Sequence, residues 1–453
     1  MIMHDLVDRF ERKAPVCMMV RALLENTLSR ERLDSIYSEH DHEQPEDVLL
    51  FSTLVEIMGL VATRVHPSVH AAYQAKRGEV AVTAKAVYDK LQRISGVVSQ
   101  ALLRRTAASM GRILDKAGCR FAEPLPGYRV KILDGNHLRR TQRRLKALRN
   151  VNAAPLPGHA LVVLDPQWKL VTDVFPCEDA HAQERTLLPQ VQDTVKPGEV
   201  WIDDRNFCTI NFLFGIRARK AFFVTRQHGS LPFELIGNRT HVGRGETGEV
   251  YEQRMRIVDA QEGTTALIRR ITVVLDKPTR DGDPEIHVLT NLPRTIPALK
   301  VADLYRQRWT IEAAFNEVAQ SLEGEIETLG YPKAALFGFC AALVSYNLLN
   351  VVQGVIGGVY PEEASQHGIS IYYLAGEVAR AFDGVEIAIG ETYWAKTYRD
   401  LSPTEMAREL ARIARKIVPA RYQKHKRGPK KPPPKLNKQK RNHVSTDRLL
   451  NAT

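Results

Sequence analysis

The chain has 453 residues, a length that predicts about three domains rather than one core. Its composition, 44% hydrophobic and 26% charged, is typical of a soluble globular protein. Its five cysteines are scattered without any C-x-x-C pair, which argues against a disulfide framework or a zinc finger: Cys17, Cys119, Cys177, Cys208 and Cys340.

The net charge of +12 is concentrated near the C-terminus. Residues 421–441 contain ten Lys or Arg and no acid, so the rest of the chain is nearly neutral. A basic segment on a neutral body predicts a polyanionic partner, most often nucleic acid. The start, MIMHDLVDRFERK, has no apolar signal-peptide core, so we expect a cytoplasmic, nucleoid-associated protein.

The first 120 residues have the apolar spacing of helices, and the period changes after them. A strand is predicted at 128–137, YRVKILDGNH, and a hairpin at HALVVLD and KLVTDVFPC, joined by Pro166 and Gln167. A helix (AQERTLLPQVQDTV), the strand EVWIDD, a helix (NFLFGIRARK) and the strand AFFVTRQ follow. Residues 231–295 read as an antiparallel β-rich insertion, and 298–322 as one helix.

One apolar stretch, residues 334–360, carries no charge and is long enough to span a membrane. Its asparagines, glutamine and glycines favour a buried helix instead, and no membrane partner is expected. Residues 361–418 have a helical pattern, whereas the Lys- and Pro-rich tail predicts no structure.

This order of elements predicts an α/β fold, a mixed sheet flanked by helices, for which the RNase H-like fold is a good candidate. The predicted division is a helical N-terminal DNA-binding domain (1–120), a first core part (125–230), the β-rich insertion (231–295), a second core part (296–360), a C-terminal helical region (361–420) and a basic disordered tail (421–453).

Two aspartates follow predicted strands. In RVKILDGN the alternation places Val130, Ile132 and Asp134 on one strand face, before a predicted Gly-Asn turn. In EVWIDDRNF, Asp203 and Asp204 point to opposite faces. Each aspartate alone is weak evidence for a functional site, because strands often end in an Asp that starts a turn. Together they predict a magnesium site, since Mg²⁺ prefers oxygen ligands.

A third acid lies in YRQRWTIEAAFNEVAQ, residues 305–320. On one helix, Tyr305, Arg308 and Glu312 fall within an arc of roughly 60°. The ordinary alternative is an i,i+4 pair of Arg308 and Glu312 on a helix edge. No P-loop is present, which argues against nucleotide hydrolysis.

With these residues in place, the sequence resembles the bacterial DDE transposases of the insertion-sequence family numbered four. The family signature Y-x2-R-x3-E-x6-K is matched by Tyr305, Arg308 and Glu312, and the family aspartates by Asp134 in ILDGNH and Asp204 in DDRNF. The resemblance covers about residues 125–360. One position departs from the signature, because Ala319 stands where the family has a lysine associated with DNA contact.

The resemblance implies an enzyme that cleaves DNA at element ends and joins the 3′-OH to target DNA. It implies that Asp134, Asp204 and Glu312 are catalytic and hold Mg²⁺, with Mn²⁺ as a substitute, and that Tyr305 and Arg308 contact phosphates near the cut. Trp309 either stacks on an extruded base or packs in the core. A homodimer that brings two DNA ends together is also implied.

The segment RRTQRRLKALR, residues 139–149, either tracks a DNA backbone or is a solvated loop; its candidate DNA-binding residues are Arg139, Arg140, Arg143 and Arg144. The tail is expected to add sequence-independent, salt-sensitive affinity. Two alternatives remain: another RNase H-like nuclease, which cuts without joining, and a catalytically impaired, transposase-derived protein that only binds DNA.

Overall fold

A computed structural model of the protein describes residues 2–41, 49–259, 262–425 and 443–451. The α-helices are α1 (Ile2–Lys13), α2 (Pro15–Thr27), α3 (Arg30–His40), α4 (Phe51–Ala62), α5 (Val69–Ala75), α6 (Ala84–Leu91), α7 (Gly96–Ala117), α8 (Leu188–Gln192), α9 (Ile210–Ala218), α10 (Ala298–Arg306), α11 (Trp309–Ser321), α12 (Pro332–Val359), α13 (Pro361–Gln366), α14 (Ile371–Ala388), α15 (Glu391–Tyr398), α16 (Pro403–Ala414) and α17 (Thr446–Asn451).

The strands are β1 (Arg129–His137), β2 (Ala154–Leu156), β3 (His159–Asp165), β4 (Leu170–Cys177), β5 (Glu199–Asp203), β6 (Phe222–Arg226), β7 (Phe233–Arg244), β8 (Gly248–Asp259), β9 (Thr264–Leu275), β10 (Glu285–Thr290) and β11 (His443–Ser445). Short 3₁₀ turns lie at Lys146–Leu148, Glu184–Leu187, Arg205–Phe207 and Pro419–Arg421. The predicted strands are therefore present, while β2 and the solvent-exposed β7 escaped prediction.

Nine strands form one mixed sheet in the order β4-β3-β1-β5-β6-β10-β9-β8-β7. The pairs β1–β5 and β5–β6 are parallel, and the remaining neighbours are antiparallel. The strands of the predicted insertion continue this sheet, because β10 pairs with β6. The prediction of a mixed sheet flanked by helices is confirmed.

The alternation along β1 sorts its side chains onto two apolar cores. Val130 and Ile132 join the core made with the long helices, and Leu133 joins a second core that includes residues of α8 and α9. The strand does not end at Asp134: Gly135 and Asn136 pair with Leu161 and Ala160 of β3. The predicted Gly-Asn turn is therefore wrong, because ladder pairing with β3 keeps these two residues extended.

The uncharged stretch is α12, a helix long and apolar enough to cross a membrane by length and composition. Every residue of its most apolar 18-residue window is buried inside the protein. It packs against α4, α7 and α16, so the prediction of a buried helix is confirmed.

The predicted helix over 298–322 is wrong as one element. It divides into α10 and α11 at Gln307 and Arg308, where the backbone N–H groups bond to carbonyls three residues back rather than four. No Pro or Gly marks the break. The apolar side chains Leu304, Ile311 and Leu322 are nevertheless all fully inaccessible and form a buried apolar stripe along this segment.

The prediction that residues 421–453 have no structure is wrong for the two parts that the structure describes. Tyr422 is buried and its hydroxyl bonds to Glu377. Farther on, β11 pairs with β2 in parallel, from His443 with Ala154 to Ser445 with Leu156. Ser445 Oγ accepts a hydrogen bond from Ala180 N at 2.9 Å. The rest of the prediction, residues 426–442, 452 and 453, lies outside the described residues.

A buried amide of α12 completes the backbone pairing of β4. Asn347 Oδ1 accepts from Val171 N at 2.8 Å, and its Nδ2 donates to Val171 O at 2.7 Å. Strand β4 lies at the edge of the sheet, so it has a neighbouring strand on one side only, and its register with β3 shifts at Val163/Leu164, next to this contact. Asn347 therefore joins the helix layer to the sheet.

We expect Asn347→Leu to lower the free energy of unfolding by about 2–4 kcal/mol, because two buried backbone groups lose their partner. Urea denaturation measures the change. Asn350→Leu is the matched control, since Asn350 is equally buried but donates to Tyr346 O of its own helix. A loss as large in the control as in Asn347→Leu contradicts the assignment.

Candidate active site

The register of the central strands brings the two predicted aspartates to the same edge of the sheet. Parallel pairing of β1 and β5 runs from Arg129 with Glu199 to Ile132 with Ile202. Asp134 lies two residues beyond Ile132, and Asp204 lies two residues beyond Ile202. The carboxyl ends of neighbouring parallel strands are where α/β folds place ligand-binding groups.

The third predicted acid comes to this edge from α11, and Arg308 joins the acids. Arg308 Nη1 donates to Asp134 Oδ2 at 2.9 Å, and Nη2 donates to Glu312 Oε1 at 2.9 Å. Tyr305, on α10, donates its hydroxyl to Asp204 Oδ1 at 3.4 Å. The helix break separates Tyr305 from Arg308, so that each reaches a different aspartate. The predicted residues are therefore brought together.

The site is partly withdrawn from solvent. The side chain of Arg308 is 10% exposed, that of Asp134 18% and that of Glu312 37%. Burial raises the pKa of Asp134 to about 6, helped by the charges of Asp204 and Glu312 and opposed by Arg308. Burial likewise raises the pKa of Tyr305, which keeps its phenol protonated. The guanidinium is thus the cation that partly neutralises the acids.

Asp203 has a different place from Asp204. It is fully buried, and its Oδ2 accepts from Thr225 Oγ1 at 3.0 Å. Burial raises the pKa of Asp203 well above its usual range. This side chain lies behind the site as a structural group.

In the part of the chain that the structure describes, no three His, Cys, Asp or Glu side chains are close enough to hold a metal ion. The reason is local, because Arg308 bonds to both Asp134 and Glu312. The chemistry of the donors suits a hard divalent cation, but their present spacing does not.

Trp309 borders the acids on the outside of the protein. Trp309 is 62% exposed, so the alternative that it packs in the core is wrong. The guanidinium carbon of Arg308 lies 5.3 Å from the ring centroid, within cation–π range. An exposed aromatic ring beside the carboxylates is available to a ligand.

The predicted basic residues follow β1 directly. Arg139, Arg140, Arg143 and Arg144 are all exposed, in a segment that contains one 3₁₀ turn. Its backbone is fixed, since Thr141 N donates to Pro155 O at 3.0 Å and Gln142 N to Glu327 O at 2.8 Å. This segment is therefore a braced, solvated loop at the same edge as Asp134.

Ala319, which stands at the family lysine position, is exposed on α11, and so is Asn316. Arg64 is close by: its Nη1 donates to Gln320 O at 3.0 Å and its Nη2 to Leu322 O at 2.7 Å. A cation therefore lies at the C-terminal end of α11. No signal in the sequence points to it, because residue 64 belongs to a distant helical segment.

Sequence reasoning also missed Glu184, which contacts the backbone next to Asp134 and the loop after Asp204. The glycine at 135, in the middle of a strand, was the available signal, since strand glycines often mark a close approach.

Part of the chain is similar in sequence to known transposases. Residues 126–348 match the family described as "Transposase DDE domain". A Sinorhizobium fredii protein named "Putative transposase y4zB" is 28% identical over 242 residues, and the match covers 49% of this chain and 65% of that protein.

A cryo-EM structure of the piggyBac transposase synaptic complex with hairpin DNA is similar with a TM-score of 0.39 and 9% identity, over 85% of this chain and 86% of that one. The domain match and the S. fredii relative together support a DDE-type transposase.

Proposed function

We propose that the protein is a DNA transposase of the insertion-sequence-four type, which cleaves at element ends and joins the freed 3′-OH to target DNA. The observation that carries the proposal is the meeting of Asp134, Asp204 and Glu312, through Arg308 and Tyr305, within the segment that matches the DDE domain. The order β3-β1-β5-β6, with its one antiparallel and two parallel pairs, supports an RNase H-like core.

Carboxylate oxygens are the ligands that Mg²⁺ prefers, so Asp134, Asp204 and Glu312 are the residues to hold it, with Mn²⁺ as a substitute. These three side chains can bind a metal ion together only when the Arg308 side chain has moved away from Asp134 and Glu312. When bound, divalent ions stabilise the attacking and leaving oxygens of a phosphodiester. The planar guanidinium of Arg308 suits a DNA phosphate once it leaves the carboxylates.

DNA would lie along the edge where these acids end. The exposed ring of Trp309 can stack on an unpaired base, and the exposed arginines from Arg139 to Arg144 can follow the backbone. We place the protein in the cytoplasm as a homodimer on DNA, with sequence-specific contacts made by the N-terminal helices.

The first prediction from the proposed function concerns Glu312. With DNA that carries the element ends and Mg²⁺ or Mn²⁺, the protein should nick the ends and form joined products, whereas Glu312→Gln should bind the DNA and lose at least ~100-fold in cleavage rate, because one ligand charge is missing. Gel assays measure both steps. Glu362→Gln, an exposed residue of α13, is the control.

The two alternatives are separated by the same gels. Cleavage without joined products favours another RNase H-like nuclease. Binding without cleavage in either metal favours a protein that has lost the activity, and contradicts the proposal.

Arg308 is the subject of a second prediction. Arg308→Ala should lower the free energy of unfolding by about 2–3 kcal/mol, less than a fully buried pair because Glu312 is partly exposed. Mn²⁺ should then raise the thermal midpoint more in this variant than in the unchanged protein, since the carboxylates lack their cation. Arg306→Ala, an exposed pair with Glu246 and Asp303, is the control and should cost below about 1 kcal/mol. An equal response to Mn²⁺ in all three proteins sinks the idea.

The third prediction concerns charge in residues 426–442, which contain eight Lys or Arg. Replacing all eight by Gln should weaken DNA binding and reduce the slope of log affinity against log salt, by about 0.9 for each phosphate that is no longer neutralised. Deletion of 421–453 is the poorer experiment, because it also removes Tyr422 and β11 from the body. An unchanged salt slope contradicts the role, and exchange of each Lys for Arg is the charge-preserving control.

A further inference from the structure

The pairing of β1 with β5 stops before it reaches the acids. The last parallel pair is Ile132 with Ile202, two residues short of Asp134 and Asp204. Beyond this pair, β1 stays paired to β3, whereas the segment after β5 enters the 3₁₀ turn Arg205–Phe207. Parallel ladder bonds therefore do not fix one aspartate relative to the other.

Glu184 spans this gap. Its Oε2 accepts a hydrogen bond from Asn206 Nδ2 at 2.6 Å, two residues after Asp204. Its Oε1 lies so close to Gly135 that a Cβ built there would be 1.8 Å away. The side chain is 17% exposed, with His137 Nδ1 at 3.7 Å as a further neighbour. The Glu184 carboxylate thus contacts the two segments that follow Asp134 and Asp204.

The next residue strengthens the same connection. Arg185 Nε donates to the backbone carbonyl of Asn206 at 2.6 Å. Asn206 is therefore held by its side chain and by its main chain from one short turn, Glu184–Leu187. A loop held at two points has little freedom to change the direction of Asp204.

We propose that Glu184 is a positioning residue that sets the separation of Asp134 and Asp204. This inference rests on the proposed function, in which those two carboxylates act together. It also explains why residue 135 is a glycine, since any side chain at that position would displace the Glu184 carboxylate. Glu184 acts through Asn206 and the Gly135 backbone and has no contact with DNA in this role. Outer-shell groups of this kind typically change activity or metal affinity by ~10–100-fold when removed.

Four variants and one control variant test the inference, with single-turnover cleavage rate, DNA affinity and hydrogen exchange as readouts. Glu184→Ala should lower the cleavage rate by about 10–100-fold with little change in DNA affinity. Glu184→Gln should keep most of the rate, since its amide oxygen still accepts from Asn206. Gly135→Ala should match Glu184→Ala. The double variant should be no slower than either single one, because both changes break the same contact. Gln183→Ala, an exposed neighbour, should be unchanged.

Hydrogen exchange separates failure of this inference from failure of the proposed function. In Glu184→Ala, but not in Glu184→Gln, backbone amides at 134–137 and 204–208 should exchange faster, whether or not the protein cleaves DNA. If the unchanged protein cuts no element end, the proposed function fails and the exchange data alone decide this connection. A normal rate and normal exchange in Glu184→Ala overturn the inference, as do multiplied losses in the double variant or a loss in Glu184→Gln equal to that in Glu184→Ala.

Discussion

The site depends on one guanidinium between like charges. Carboxylates brought to one edge of a sheet repel one another, and removal from water adds to the cost of each charge. Arg308 meets both problems with two hydrogen bonds, to Asp134 and to Glu312. It does so from the junction of α10 and α11, which is why the helix break matters. The arrangement is stable without any other cation, and it is also a competitor of any cation that binds there.

The strands and helices around these ion pairs determine where the three acidic side chains lie. The parallel strands β1 and β5 bring two aspartates to one edge, and the apolar stripe of α11 fixes the depth at which Glu312 sits. The basic loop after β1 is braced by backbone bonds to Pro155 and Glu327. Rigid backbone under flexible charged side chains is a suitable combination for a polyanion whose charges are regularly spaced.

Much of this was accessible from sequence, because it depends on local periodicity. The period of two in Val130, Ile132 and Asp134 gave the correct face, and the uncharged stretch of α12 was correctly assigned to the interior. The break at Gln307 has no Pro or Gly to announce it, so the local pattern favoured one helix. The contacts of Glu184 and Arg64 join residues far apart in the chain, and no local signal specifies such contacts. The pairing of β11 with β2 was missed for the same reason, since a polar C-terminal segment shows no strand period.

The position of α12 separates the unit of sequence similarity from the unit of folding. The matched domain ends at residue 348, inside a helix that runs from Pro332 to Val359. The surroundings of that helix include α4, α7 and α16, all outside the match. A fragment cut at the borders of the match would shorten α12, expose its apolar surface and lose the helices that cover it. Exchange of the matched segment between relatives therefore has to carry its flanking helices along.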